Sequence, residues 1–592
     1  MNRTATCGAL RATDDGKTVI LNGWVHRKRD HGGISFINLR DRYGLTQVVV
    51  DSDARAELAE ITTELRMEFC IAVEGTVRTR PDSMKNPDMP TGEVEVVAIS
   101  IKILSRSEVP PFTIDEKTNA SEELRLKYRY LDLRSQSMQQ HIALRSQVAF
   151  SIRDFLVKRD FLEIETPTFI KSTPEGARDY LVPSRLYPGQ FYALPQSPQL
   201  YKQILMVAGF DRYFQIARCY RDEDARGDRQ PEFTQVDIEM SFVSRDEVLT
   251  LIEGMMGQVF KETMKIDLPT TFRRISWEDA LNLYGTDKPD LRFDLEMQDG
   301  AFLADLGTFQ AFKDALSAGG SIKALVVPGA AATTSRKNID ALEAAAKIYK
   351  ARGLAWMKVS STDTDAPVLE GGISKFFDGM ATQVCDTLGA KAGDLLLFVA
   401  DTRHKIACSS LGAVRSKLGK DLGLCEKGTF AFAWIIDFPM FEWDEENEKW
   451  ETAHHMFTWP QDKYHATLES DPGSVKGELY DLVLNGYELA SGSIRIHDPD
   501  LQNRIFKIVG FSEEEAKEKF GFLTEAFKYG APPHGGIAPG LDRLVMLMAG
   551  ETSIKEVIAF PKNSFAQSLM DSCPSNIDPA QLAELHLKIV KD

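Results

Sequence analysis

Three stretches of the chain concentrate side chains able to do chemistry on charged ligands. In 218–232, RCYRDEDARGDRQPE, a predicted strand carries Arg218 and Arg221 into a loop dense in both signs, and Gln230-Pro231-Glu232 leads out of it. A guanidinium fork matches phosphate oxygens two at a time, so the loop could clamp a phosphate, although a solvated hairpin of self-cancelling charge would read the same. In 233–242, FTQVDIEMSF, the alternation puts Gln235, Asp237, Glu239 and Ser241 on one face and Val236, Ile238, Met240 and Phe242 on the other. The pattern returns at 491–497, where Ser491, Ser493, Arg495 and His497 oppose Gly492, Ile494 and Ile496. Acids, an arginine and a histidine on one side of two strands predict the floor of a polar pocket; an antiparallel strand with one wet face would alternate likewise. Finally, 535–543, GGIAPGLDR, offers glycines for close backbone approach and sets Arg543 about one turn into a helix.

These stretches need a scaffold, and the rest of the chain supplies one. Residues 1–105 read as all-β, with five β-branched segments (18–25, 34–39, 45–50, 70–77, 93–104) and one helical stretch near 53–66. That pattern predicts a small Greek-key barrel of the OB type. Within 21–45, Arg27, Lys28, Arg29, Arg40 and Arg42 oppose only Asp30 and Asp41, and His26, His31, Phe36 and Gln47 are interleaved. Flat rings and amides among cations suit a single-stranded base, which gains about 1–3 kcal/mol by stacking. A polar hinge spans 106–140. A catalytic domain is expected over 141–288 and 411–560, beginning with a helix from His141 and a strand at 161–169, and interrupted at 289–410 by an inserted α/β domain. Residues 561–592 form a C-terminal extension.

Composition narrows the classes. The 592 residues are 43% hydrophobic and 27% charged, ordinary for a folded protein, and the net charge is −17. Such a chain is no general polycation for DNA or a membrane surface, so nucleic-acid contact must come from local patches. Seven scattered cysteines without C-x-x-C spacing argue against a zinc site and a disulfide framework and fit a reducing cytosol. No signal-peptide core or long apolar run is present, and the expected location is cytoplasmic.

Taken in order, FLEIETPTF (161–169), QSPQLYKQ (196–203), RDED…RQPEFTQVD (221–237), NGYELASGSIRIH (485–497) and APGLDR (538–543) resemble motifs 1, 2 and 3 of the class II aminoacyl-tRNA synthetases, and among these the bacterial-type aspartyl-tRNA synthetases. The resemblance covers essentially the whole chain. It implies an α+β multidomain fold: an N-terminal OB-fold barrel, an antiparallel-sheet catalytic domain and an inserted α/β domain. It implies an ATP-dependent ligase that forms aspartyl-adenylate and passes the acyl group to tRNA-Asp. In such a ligase Arg221 clamps the α-phosphate and the attacking carboxylate, and Arg543 the γ-phosphate. Asp222, Glu223 and Gln230 help hold ATP, Phe233 stacks on adenine, and Gly540, Leu541 and Asp542 complete the nucleotide side. Asp481 and Glu488 hold Mg²⁺, Glu488 also serving ATP. Lys202 and Arg495 receive the aspartate side chain, Glu175 and Asp237 its ammonium, and Gln199 and His454 complete the pocket. Losing the counter-charge to Lys202 and Arg495 would penalise asparagine by ~3–5 kcal/mol. Arg29, Phe36, Gln47 and Glu93 are expected to read the anticodon. His31, where members specific for tRNA-Asp often carry Leu, resembles members that also charge tRNA-Asn. A homodimer through 141–169, with Pro167 at the interface, is implied.

Two other classes are weighed against this. A non-catalytic tRNA-binding paralogue should have lost Arg221, Arg543 or the acidic pair, and all are present. An asparagine enzyme could dispense with the Lys202 and Arg495 cations, and a lysine enzyme would need acids there.

Overall fold

The computed structural model describes residues 2–51, 56–115, 118–173, 176–361, 366–590 and, at Ala56, the backbone alone. The chain divides into two compact units: Met1–Ser146 with Asp224–Gln230 and Ser553–Asp578, and Gln147–Glu223 with Pro231–Thr552 and Pro579–Asp592.

The first unit contains a closed barrel of five strands, β1 (Thr18–His31), β2 (Ile34–Asp41), β3 (Gly44–Asp51), β4 (Cys70–Thr79) and β5 (Val94–Ser105), in the order β1-β2-β3-β5-β4. Alternate residues Val19, Leu21, Val25, Ile37, Leu39, Val48, Val50, Ile71 and Val73 fill its interior. β1 and β2 turn at Gly32-Gly33 with both φ positive (56° and 80°), the two-residue geometry that side chains with a Cβ resist. In the same unit Arg129 donates to the carbonyls of Lys555, Ile558 and Ala559, tying the hinge to the segment after 553.

The second unit is built on an eight-stranded sheet. Its order is Arg273–Ser276, Phe432–Ile436, Leu479–Leu484, Tyr487–Ile494, His534–Pro539, Glu232–Ser241, Arg212–Tyr220, Leu162–Glu163. All its pairings are antiparallel except those of the two edge strands. A separate five-stranded sheet between 298 and 401 carries helices such as Arg336–Ile348 and His404–Asp421. Two element expectations are revised. The predicted 161–169 strand pairs only at Leu162–Glu163, because Pro167 has no N–H and the segment lies at a sheet edge. The 480–497 strand is two strands joined at Asn485-Gly486, and the second ends at Ile494. Beyond it the chain leaves the ladder, Arg495 N donating to His534 O and Ile496 N to Phe457 O.

Candidate active site

The ladder fixes which side chains meet. Glu239 lies opposite Gly536, which lies opposite Ser493; Asp481 lies opposite Ser491, which lies opposite Ala538. A Cβ on Gly536 would sit 2.0 Å from Glu239 Oε2 and 2.1 Å from Ile238 O, so glycine there makes room for a carboxylate over the sheet. Into that space the Gln199–Val207 helix delivers Lys202, and the chain after Ile494 delivers Arg495.

At this end of the sheet four charges are fully buried and joined. Lys202 Nζ is 2.7 Å from Asp237 Oδ1 and 3.3 Å from Glu239 Oε2. Arg495 Nε donates to Glu239 Oε1 at 2.9 Å and Nη2 to Glu239 Oε2 at 3.2 Å; Nη1 reaches His455 Nε2 at 2.7 Å and Ser493 Oγ at 2.8 Å. Burial alone would raise Glu239, but the Arg495 and Lys202 cations hold it below the usual range. Burial dominates at Asp237 and lifts it in spite of Lys202. Burial, then the neighbouring Arg495, pushes His455 well below an ordinary imidazole, so it is neutral and accepts from the guanidinium.

This corrects the expectation that the two cations await a ligand as their counter-charge. Two cations face two carboxylates, and the cluster is balanced. What remains is donor capacity: Lys has three N–H bonds and Arg five, and the protein contacts leave about one on each. Gln199, also buried, has an Nε2 without a hydrogen-bond partner among the described residues. Glu239 and Ser493, on the alternating faces expected to floor a polar pocket, join the cluster, and His455 is the member no motif or periodicity points to. Glu239 was visible two residues beyond Asp237 on the same face. His454, expected at this position, packs its ring edge-on against Phe438 at 4.8 Å; burial lowers its pKa, while Glu488 and Asp287 act to raise it. Glu175 lies outside the described residues.

The other end of the same sheet, where Arg221, Phe233 and Arg543 lie, is differently made. The Arg221 guanidinium lies over the Phe233 ring at 5.0 Å, and its buried Nε has no hydrogen-bond partner among the described residues. Arg543 donates to the carbonyl of Glu488. Asp542 Oδ2 accepts from Thr234 N at 2.7 Å, Gly540 bridges to Gln235, and Leu541 is buried, which locks the Leu541–Met548 helix start onto the 232–241 strand. Glu223 N turns back to Arg221 O, and Asp222 pairs with Arg178 at 3.7 Å on the surface. Gln230 belongs to the other unit, where it exchanges hydrogen bonds with the backbone of Lys562.

Asp481 is buried, and its Oδ1 has no hydrogen-bond partner among the described residues. Burial, then the nearby Glu488 carboxylate, drives its pKa well above the carboxylate range, with Asp287 adding to the effect and Ser491 and Lys288 opposing it. An orphaned buried oxygen beside a second acid is a place for a cation, so Asp481 and Glu488 fit Mg²⁺, which binds through one or two carboxylates plus substrate phosphates. Among the described residues no group of three or more acidic, His or Cys side chains could hold a metal by itself.

On the barrel Arg29 pairs in register with Phe36 on one face, Arg29 exposed and Phe36 half-buried, and His31 is exposed at the β1–β2 tip. Gln47 Nε2 donates to Glu95, which also binds Arg78; Glu93 is exposed just before β5. Arg40 is not part of the surface charge: it is buried, 2.8 Å from Glu68.

Comparisons with known proteins agree with this layout. Residues 121–564 match the family described as tRNA synthetases class II (D, K and N), and residues 19–104 the OB-fold nucleic acid binding domain. The chain is 70% identical over 589 residues to an aspartate–tRNA(Asp/Asn) ligase of Treponema denticola, covering 100% of this chain and 99% of that one. It is 53% identical over 589 residues to an aspartate–tRNA(Asp/Asn) ligase of Anoxybacillus flavithermus, covering 99% and 98%. A solved asparaginyl-tRNA synthetase of Entamoeba histolytica, in complex with asparaginyl-adenylate, shares the fold at TM-score 0.59 and 19% identity, covering 94% of this chain and 98% of that one. The chain belongs to the class II tRNA synthetases of the D, K and N group and carries their OB-fold domain at its N-terminus.

Proposed function

We propose that the site activates L-aspartate with ATP and transfers it to tRNA. The chain is an aspartate–tRNA ligase. The observation that carries this reading is the balanced Lys202–Asp237–Glu239–Arg495 cluster with spare donors on both cations. A carboxylate offers acceptors to both donors, whereas an amide offers one oxygen and turns an N–H₂ toward the other. A site built on such hydrogen bonds rejects the mismatched analogue strongly, because its buried donors are left unpaired.

In the first step the aspartate α-carboxylate attacks the α-phosphorus of ATP in line and pyrophosphate leaves. Arg221 neutralises charge where attacking oxygen and α-phosphate meet, and Arg543 holds the far end of the triphosphate. Phe233 offers a ring to adenine. Asp222 and Glu223 support the nucleotide, and Gly540, Leu541 and Asp542 fix the helix that carries Arg543. Asp481 and Glu488 would hold Mg²⁺, which supplies charge neutralisation on the phosphates. In the second step the adenylate yields its acyl group to the 3′-terminal adenosine. These residues act by position and fixed charge. Asp237 faces the substrate ammonium, and Gln199 and His455 close the pocket.

The barrel reads the anticodon through stacking on Phe36 and edge contacts from Arg29, Gln47 and Glu93. His31 at the hairpin tip supports charging of tRNA-Asn as well as tRNA-Asp. Exposed apolar side chains at Phe150, Val157, Leu162 and Phe169 support a homodimer through 141–169, where Pro167 lies. All seven cysteines are free, which fits a reducing, cytoplasmic setting, and among the described residues no helix is long and apolar enough to cross a membrane. Neither DNA nor a membrane is a partner in this reading. The test crosses aspartate and asparagine with tRNA-Asp and tRNA-Asn transcripts: aspartate should be attached to both, asparagine to neither. Attachment of asparagine would overturn the reading.

A further inference from the structure

The bend between β2 and β3 is braced from outside the hairpin. Asp41 pairs with Gly44 at the end of the ladder and leaves Arg42-Tyr43 at the bend. The buried Asp41 carboxylate joins this bend to the N-terminal stretch: Oδ1 accepts from Tyr43 N at 2.8 Å and Oδ2 from Cys7 N at 2.9 Å. The Cys7 carbonyl in turn accepts from Thr46 Oγ1 at 2.6 Å. The stretch lies flat against the bend, since a Cβ on Gly8 would sit 1.9 Å from Tyr43 O.

This frame presents an aromatic ring attended by two guanidiniums. Tyr43 is 53% exposed, and the guanidinium carbons of Arg3 and Arg42 lie 5.4 and 5.3 Å from the centre of its ring. Arg42 is exposed and makes no ion pair among the described residues. Arg3, also exposed, reaches Asp41 at 3.6 Å, a carboxylate already taken by two backbone donors. A ring contact orients a guanidinium without spending its N–H donors, which stay free for phosphate oxygens. The bend closes the end of β2 opposite the tip that carries His31, about 17 Å along the strand from Phe36. A few nucleotides span that length, within the ~4–16 that one OB fold holds.

We propose that Arg3, Arg42 and Tyr43 form a second RNA contact on the barrel, which grips a backbone phosphate of the tRNA beside the anticodon. Such a contact carries no sequence information and sets the register in which Phe36 and Arg29 meet the bases. This rests on the tRNA reading proposed above. The test is binding of a tRNA-Asp transcript to the full chain over a salt series, wild type against the double variant Arg3→Ala with Arg42→Ala. At low salt the double variant should raise Kd about tenfold, the size of one charge-assisted contact. The slope of log affinity against log salt should become shallower by about one. A transcript with a changed anticodon should lose affinity by the same factor, and Arg42→Lys, which keeps the point charge, should keep the wild-type slope. A denaturant midpoint shared with wild type checks that the barrel is intact in each variant. A wild-type chain that fails to bind the transcript would bring down the tRNA reading itself. A wild type that binds, beside a double variant of unchanged Kd and slope, would overturn this proposal alone, as would a loss confined to one anticodon.

Discussion

The two ends of the catalytic sheet solve opposite problems with the same kinds of side chain. At the amino-acid end, Lys202, Asp237, Glu239 and Arg495 are buried and have already cancelled one another. At the nucleotide end, Arg221 Nε and Asp481 Oδ1 are buried without partners, and Asp481 stands beside a like-charged Glu488. In the proposed function the first is finished before the ligand arrives and selects by hydrogen-bond count. The second is completed only by its ligand. A buried pair is costly to break and a buried orphan is costly to keep, so substitutions at the two ends should move stability in opposite directions.

The largest effect is expected at Arg495. Arg495→Leu leaves buried Glu239 with only its longer contact to Lys202 and removes a donor from the pocket, so aspartate-dependent exchange should vanish and denaturant unfolding should show a loss of about 3–5 kcal/mol. An active, fully stable variant would break the comparison. Asp481→Asn should lower exchange by about 10²–10³-fold yet raise Tm of the ligand-free chain. The folded pKa of Asp481 lies above its unfolded value, so its ionised form works against the fold at neutral pH, and the amide removes that cost. A fall in Tm would show that the orphan is not one. Acidification should also act through the amino-acid end. Burial lowers His534, whose backbone carbonyl holds Arg495, to about 4. Its stability contribution is therefore present above pH ~6.5 and lost as pH falls toward ~4, by about 3 kcal/mol, and His534→Gln should flatten that part of the profile. The smallest effect lies outside the sheet. Phe36→Ala should weaken tRNA aminoacylation by about 1–3 kcal/mol and leave exchange untouched; equal losses in both assays would remove Phe36 from RNA recognition.

Much of this was legible in the residue order. Period-two alternation located the barrel strands and the face carrying Asp237 and Glu239, since side-chain direction in a strand follows from sequence alone. Motif strings located Lys202, Arg221, Arg495 and Arg543. What sequence could not give was pairing across strands. That Glu239 stands between Lys202 and Arg495 depends on the register of three strands and on Gly536 leaving space between them. Whether His454 or its neighbour would turn toward Arg495 depended on backbone direction where no periodicity holds. Arg40 showed the same limit on the barrel, counted as surface charge until Glu68 proved to be beside it.

Selection by donor count has a direct measurement: ATP–pyrophosphate exchange by the unmodified chain, driven in turn by L-aspartate and L-asparagine at matched concentrations. A kcat/KM for aspartate at least about a hundredfold above that for asparagine is predicted. Comparable values for the two would contradict the assignment of the spare Lys202 and Arg495 donors to a carboxylate.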